Sequence, residues 1–378
     1  MEEQKDVLTA KWTATQPWRG ILALIITMSI ALIITTMFKM ETFMGIFTIF
    51  AISMVPIEVV MGLGWGNNYP PTGNLPQPWR GLALIVFMAI IGTLTCFLVM
   101  KWIGNGAAHP LTNVYIISVV CLTFWAVIGF GMWPFHNMSP PAKGFLTLIF
   151  VFLIMWLGLK LFNFSMLSFP TGVNPATPEG GVPFYAEGGP LAVFAGIAPK
   201  GPFGWESALA AWFWFLVFLF SFVLLGMWPI NKAPSLMKQP AMGITLFVIC
   251  GILAVISFII GVTAMKIEPV RFLLHGICYL FGVLMIMTMF EMWPGRTLKS
   301  PVAGGFVNII LAIVLAVIAF YAINAFCNWH FGEAMKYPFN WMTVANVMLA
   351  ITFPIWAAFS GFFNYWPLPP SPPPPDPE

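Results

Sequence analysis

The sequence predicts an all-α polytopic membrane protein with about ten transmembrane helices, arranged as five tandem, parallel two-helix hairpins. Three observations lead there. Charged residues make up 8% of the 378 and hydrophobic residues 60%, with a mean hydropathy of +0.89, whereas a soluble domain carries roughly a quarter charged residues. The apolar residues fall into ten stretches of the length, about twenty residues, that crosses a hydrocarbon core. Two punctuation marks recur between the stretches. No soluble fold covers that much apolar surface, because surface scales too slowly with size.

In order, spans are predicted near 20–38, 42–63, 81–103, 113–133, 144–162, 207–228, 241–265, 270–292, 304–327 and 341–364. A Pro-x-x-Gly precedes each odd-numbered span: Pro17–Gly20, Pro78–Gly81, Pro141–Gly144, Pro240–Gly243 and Pro301–Gly304. A tryptophan motif closes each even-numbered one: Gly64–Gly66, Gly131–Pro134, Gly226–Pro229, Glu291–Pro294 and Tyr365–Pro367. The intervals between these prolines are alike except the third, which the Gly/Pro-rich insertion 163–205 lengthens. A fixed period of this kind is the mark of an internal repeat. The expected units are 15–66, 76–134, 139–229, 239–294 and 300–367, forming one transmembrane domain with a proline-rich tail at 368–378.

Each mark has a local physical reading. Proline in a first helical turn costs nothing, because its missing N–H would be unpaired there. A proline after tryptophan disfavours helical geometry in the residue before it, which is expected to end the helix. Tryptophan favours the headgroup level. On that rule Trp18, Trp65, Trp79, Trp133, Trp228, Trp293 and Trp366 are expected to be interfacial anchors.

Every Pro-x-x-Gly and every tryptophan motif falls on one membrane face. That face also holds more Lys and Arg (Lys5, Lys11, Arg19, Arg80, Lys143, Lys232, Lys238, Arg296, Lys299) than the opposite loops (Lys39, Lys101, Lys200, Lys266, Arg271, Lys336). The positive-inside rule then places both termini in the cytoplasm, in a bacterial-type inner membrane. The N-terminus has no small-residue cleavage site before a short apolar core, so no cleavable signal peptide is expected. Parallel units in an odd number lower the expectation of a secondary transporter, in which inverted repeats are common.

Several classes are set aside. The net charge of +3 is small and dispersed, with no basic run to track phosphates, so nucleic acid is not an expected partner. No phosphate-binding loop, dinucleotide fingerprint or nucleophile elbow occurs. The five cysteines lie in or beside apolar stretches, as small hydrophobes do. Among the histidines only His275 falls within a span, which disfavours bis-histidine haem.

Intramembrane ionisable residues are the first pointers to chemistry. Glu58 lies inside the second span and, once buried, can relay protons or bind a cation if it is not merely paired. A weaker group is the outer-side His275, Cys278, Cys327, His330 and His109, whose imidazoles and thiols suit a metal if they meet. A bound lipid or quinone is the other candidate cofactor. The opposite charges of Lys39–Glu41 and Lys266–Glu268 read as solvated turns.

The insertion is too apolar and aromatic to float in water. It is expected to fold over the outer mouth of the bundle or onto a partner, and its Asn163–Ser165 triplet fits a glycosylation sequon. The tail favours polyproline II and suits a docking strap. Three functions follow in order. The first is a non-catalytic subunit of a larger membrane complex, a bioenergetic one included, or of a homo-oligomer, with the odd count, insertion and tail as docking surfaces. The second is a carrier or channel for a weakly polar solute, with Glu58 as its handle. The third is a membrane enzyme with an outer His/Cys metal site.

Overall fold

The computed structural model describes residues 12–165, 185–189, 191–335 and 339–369. Lys5, Lys11, Lys336, residues 166–184 and 190 of the insertion, and the tail beyond Pro369 lie outside them. Among the described residues ten helices are long and apolar enough to cross a membrane: α1 Trp18–Thr36, α2 Met40–Gly64, α3 Trp79–Trp102, α4 Pro110–Gly129, α5 Pro140–Leu161, α6 Trp205–Leu224, α7 Ala241–Ala264, α8 Pro269–Met289, α9 Pro301–Ala334 and α10 Asn340–Phe362. They match the predicted spans to within a few residues at most ends. The ninth runs longer, because nothing in its sequence breaks the helix before Gly332. The chain is an integral membrane protein.

The even-numbered helices form a closed inner ring. In it α2 touches α4, α4 touches α6, α6 touches α8, α8 touches α10, and α10 returns to α2. Each odd-numbered helix lies outside this ring, against the even helix that precedes it in the chain: α3 on α2, α5 on α4, α7 on α6 and α9 on α8, with α1 on α10 closing the circle. Burial follows position. Between 22% and 33% of each outer span is buried, against 50% to 78% of each inner one. The unit that packs is therefore not the sequential hairpin but an inner helix with the outer helix after it.

Each outer helix buries one stripe that begins at its motif glycine. On α1 the stripe is Gly20, Ala23, Thr27, Ala31 and Thr35, and on α7 it is Gly243, Leu246, Cys250 and Ala254. In α9 the corresponding stripe runs Gly304, Asn308, Ala312, Ala316 and Ala319. Lipid tails are as apolar as leucine, so helices associate in a bilayer by close van der Waals contact, which small residues allow. Cys96, Cys250 and Cys327 sit in these stripes, and all five cysteines are buried and free.

The even helices do not end at Trp-Pro, as the sequence suggested, but several residues earlier. Four of them widen into a turn in which an N–H reaches back five residues: Trp65 to Val60, Phe130 to Trp125, Phe290 to Met285 and Phe363 to Ala358. Two residues then follow in left-handed geometry at all five ends: Gly66–Asn67, Gly131–Met132, Gly226–Met227, Glu291–Met292 and Asn364–Tyr365. Such geometry is costly for methionine or tyrosine. It is held here by a further bond of 2.7–2.9 Å, from Asn67 to Met61, Met132 to Ala126, Met292 to Ile286 and Tyr365 to Phe359. The carbonyls that a helix end leaves unpaired are thereby satisfied.

Candidate functional site

The Pro-x-x-Gly glycines are sockets. A Cβ on Gly20 would lie 2.5 Å from the Phe290 ring, one on Gly81 2.4 Å from Phe363, and one on Gly243 2.3 Å from Phe130. Trp65 fills the space at Gly144, and at α9 a Cβ on Gly305 would lie 2.9 Å from Leu225 Cα. In all five cases an outer helix receives, at or beside its motif glycine, the residue that ends the inner helix preceding its own in the ring. Glutamine before proline fastens three of these joints. Gln16 Oε1 accepts from Gly20 N at 3.2 Å while its amide donates to Met289 O at 3.1 Å. Gln77 bonds Gly81 N and Phe362 O in the same way, and Gln239 donates to Gly129 O at 2.9 Å.

The joint where the two ends of the chain meet also carries charge. Arg19 is 2% exposed. It donates to Glu291 at 2.6 Å and to Pro369 O at 3.2 Å, and lies 4.0 Å above the Tyr365 ring. Arg296 approaches the other oxygen of Glu291 at 3.6 Å. Burial, with the Glu291 carboxylate beside it, pushes the Tyr365 hydroxyl up to about 12, so it stays a donor, to Thr288 O. The sequence reading missed this cluster, although Arg19 and Glu291 stand inside the marks it used.

The ring has no open bore. Side chains from all five inner helices meet on the axis, among them Val55, Val120, Leu216, Leu280 and Phe353, and leave about 30 Å³. That is room for a few waters at most, in a lining too apolar to hold them. Buried polar atoms without a hydrogen-bond partner lie elsewhere. Apart from Arg80 Nε on the outer helix α3, within the described spans they are Ser53 Oγ and both Glu58 oxygens on α2, Asn113 Oδ1, Ser118 Oγ and Trp125 Nε1 on α4, and Asn340 Oδ1, Asn346 Oδ1 and Trp356 Nε1 on α10. These three helices are consecutive in the inner ring. Glu58 is 2% exposed and follows the axial residue Val55 by three positions, which turns it about 60° off the axis toward the ring's interior contacts.

The outer histidines and cysteines take separate partners. His109 caps α4, with Nδ1 2.8 Å from the Tyr185 hydroxyl and Nε2 3.1 Å from Gly104 O. His330 Nε2 lies 3.0 Å from Phe38 O. The Cys278 thiol faces the Met348 sulfur at 3.8 Å, while the His275 ring lies edge-on to Phe320, and Cys327 is buried in the α9 stripe. Among the described residues no three His, Cys, Asp or Glu side chains converge in a metal-holding group. Burial holds the His109 imidazole below its usual titration range. At the turn before α8, Glu268 accepts from Val270 N and Arg271 N.

Trp18, Trp79, Trp133 and Trp366 are exposed, and Trp228 and Trp293 are half-buried, as anchors can be. Trp65 is a correction. It is 5% exposed, its indole N–H donates to Pro140 O, and its ring fills the Gly144 socket. The reason is register: Trp65 precedes its left-handed pair, where the other units carry phenylalanine or leucine, whereas their tryptophans follow it.

The described part of the insertion folds back on the chain. Phe162–Asn163 and Phe203–Gly204 pair as two short parallel strands, β1 and β2. Phe164 N donates to Pro199 O, and Gly201 N to Phe162 O. Tyr185 is fully buried, accepting from Leu111 N at 2.9 Å beside His109. Asn163 of the sequon uses its amide on Gly201 O. No protein-family model, curated protein or solved structure matches this chain.

Proposed function

We propose that this membrane protein binds and moves a monovalent cation, the proton included, through the α10–α2–α4 sector of its inner ring, with Glu58 as the binding group. The observation that carries the reading is the pair of Glu58 oxygens, buried and without a hydrogen-bond partner. A carboxylate in such surroundings is costly unless it serves something. A single carboxylate suits one positive charge, and the unpaired hydroxyl and amide oxygens on the same three helices are ligands for a small hard cation or its waters. The sealed axis directs the route away from the centre of the ring. We further take the five hairpins as copies of one unit, supported by five like joints, and both termini as cytoplasmic.

The subunit reading draws less support, because the described part of each docking feature is used within the chain. The odd count closes a ring, the described insertion packs on α4, and Pro369 at the start of the tail accepts from Arg19. The test is flux into proteoliposomes under an imposed potential, followed with an enclosed pH dye and with radioactive sodium. Wild type should move one of the two ions, Glu58→Gln should abolish that movement and Glu58→Asp should keep part of it. Equal rates for wild type and Glu58→Gln, or no movement above protein-free vesicles, would overturn the reading. In the latter case stoichiometric copurification of other subunits would favour the docking role.

A further inference from the structure

We propose a binding site for one anionic phospholipid on the outside of the ring, between α3 and α5, in the leaflet opposite the termini. Two adjoining spaces make it. The first is a groove of about 700 Å³ between the two outer helices, within the roughly 300–1,000 Å³ usual for a small-molecule site. Its walls run from Ile91 to Trp102 and from Phe145 to Trp156, each about 17 Å of helix. That is a little over half of a hydrocarbon core of about 30 Å, the reach of an acyl chain within one leaflet. Its floor is Tyr115, which is buried and fixed by a 2.8 Å bond to Phe152 O.

The second space, of about 420 Å³, opens at the outer end of the groove and shares Trp102, Ile103 and Trp156 with it. Its lining is polar where the groove is apolar, and includes the exposed Lys160 and Lys200. Neither lysine has an acidic partner within salt-bridge distance among the described residues. Lys160 Nζ stands 4.7 Å over the Trp156 ring, and indole rings favour headgroup depth. Lys200 is held in place by the insertion, whose Pro199 and Gly201 bond Phe164 and Phe162. A Cβ on Gly201 would come within 2.2 Å of the Leu161 backbone, so the lip closes this tightly only with glycine there.

Charge selects the occupant. Two ammonium groups with no acidic partner among the described residues, above an apolar slot, complement a phosphodiester headgroup and its acyl chain, as juxtamembrane lysines attract anionic lipid. A neutral quinone or a zwitterionic lipid would leave that complementarity unused. The insertion, the one large departure from the repeated pattern, thereby gains a role as the headgroup lip.

The test is native mass spectrometry of the delipidated full-length protein, titrated with phosphatidylglycerol or phosphatidylcholine of the same chains. Wild type should retain one phosphatidylglycerol in preference to phosphatidylcholine. The Lys160→Ala/Lys200→Ala double variant should lose that preference at least tenfold, while Lys160→Arg/Lys200→Arg and the opposite-face control Lys232→Ala/Lys238→Ala keep it. Thr95→Trp, which fills the groove, should reduce retention of both lipids. Equal retention of the two lipids by wild type, unchanged preference in the double alanine variant, or a neutral quinone retained from native membranes in place of phospholipid would each overturn the proposal.

Discussion

The inner and outer helices of the ring are drawn from nearly the same apolar alphabet, yet they solve different problems. An outer helix buries a single stripe that begins at its motif glycine and turns the rest to lipid, so its association rests on close van der Waals contact along that stripe. The inner helices are buried over half or more of their length, and they carry Glu58 and, but for Arg80 Nε on α3, the other unpaired polar atoms of the described spans. Lipid exposure forbids such atoms, whereas the ring interior tolerates them where they bind something. Function is therefore sought inside the ring and lipid recognition outside it.

The sharpest way to break this division is at the joint that closes the circle. Arg19→Ala removes the buried partner of Glu291 and leaves the carboxylate the longer contact to Arg296 beside Tyr365. Such a loss costs about 3–5 kcal/mol. Thermal unfolding in detergent should show it, with Glu291→Ala falling similarly and the double variant falling by less than the sum. A smaller effect is expected at a socket. Gly81→Ala forces a Cβ into the Phe363 ring and should cost about 1–3 kcal/mol, whereas Gly251→Ala, whose nearest neighbour is 3.7 Å away, should be neutral or slightly stabilising. Opposite signs at two helix glycines would sharpen the contrast between socket and open face, and equal signs would erase it.

Glu58 tests the inner helices in the other direction. Replacing an unpaired buried carboxyl by leucine removes an unmet polar demand, so Glu58→Leu should raise stability by about 1 kcal/mol while abolishing ion movement. A structural role would instead lower stability. The smallest effect is expected at the clasp of the insertion. His109 is held below its usual titration range, so the folded state binds fewer protons there than the unfolded chain. The stability this contributes is present above the ordinary imidazole value and lost as pH falls through the lowered one. The protection factors for hydrogen exchange near Leu111 and Tyr185 should fall between pH 7 and pH 5, and His109→Phe should flatten that dependence.

Much of this was legible in the sequence. Length and apolarity located ten spans, and Pro-x-x-Gly with Trp-Pro marked their ends. What the marks do was not legible, because the contact of an outer helix with the end of the inner helix one place back is a property of the closed ring. The glutamine of Gln16, Gln77 and Gln239 was the overlooked signal, repeated before three of the five prolines. The tryptophan of Gly64–Gly66 was misread as an anchor because a shift of three positions relative to the left-handed pair moves it from headgroup to socket. Glu58 stood out as an ionisable residue within a span, but its lack of a partner depends on what α4 and α10 bring beside α2. The outer histidines and cysteines shared a membrane face without sharing a place on it.

The closed ring itself is most directly tested by cross-linking Gly20→Cys to Phe290→Cys in native membranes, in a background with the five native cysteines replaced. The two positions lie in one joint between α1 and the end of α8, near the span a disulfide can bridge. The ring predicts rapid formation of a disulfide within one chain, and none for Gly20→Cys with Phe130→Cys, which belongs to another joint. Cross-linking only between chains, or equal cross-linking of both pairs, would contradict it.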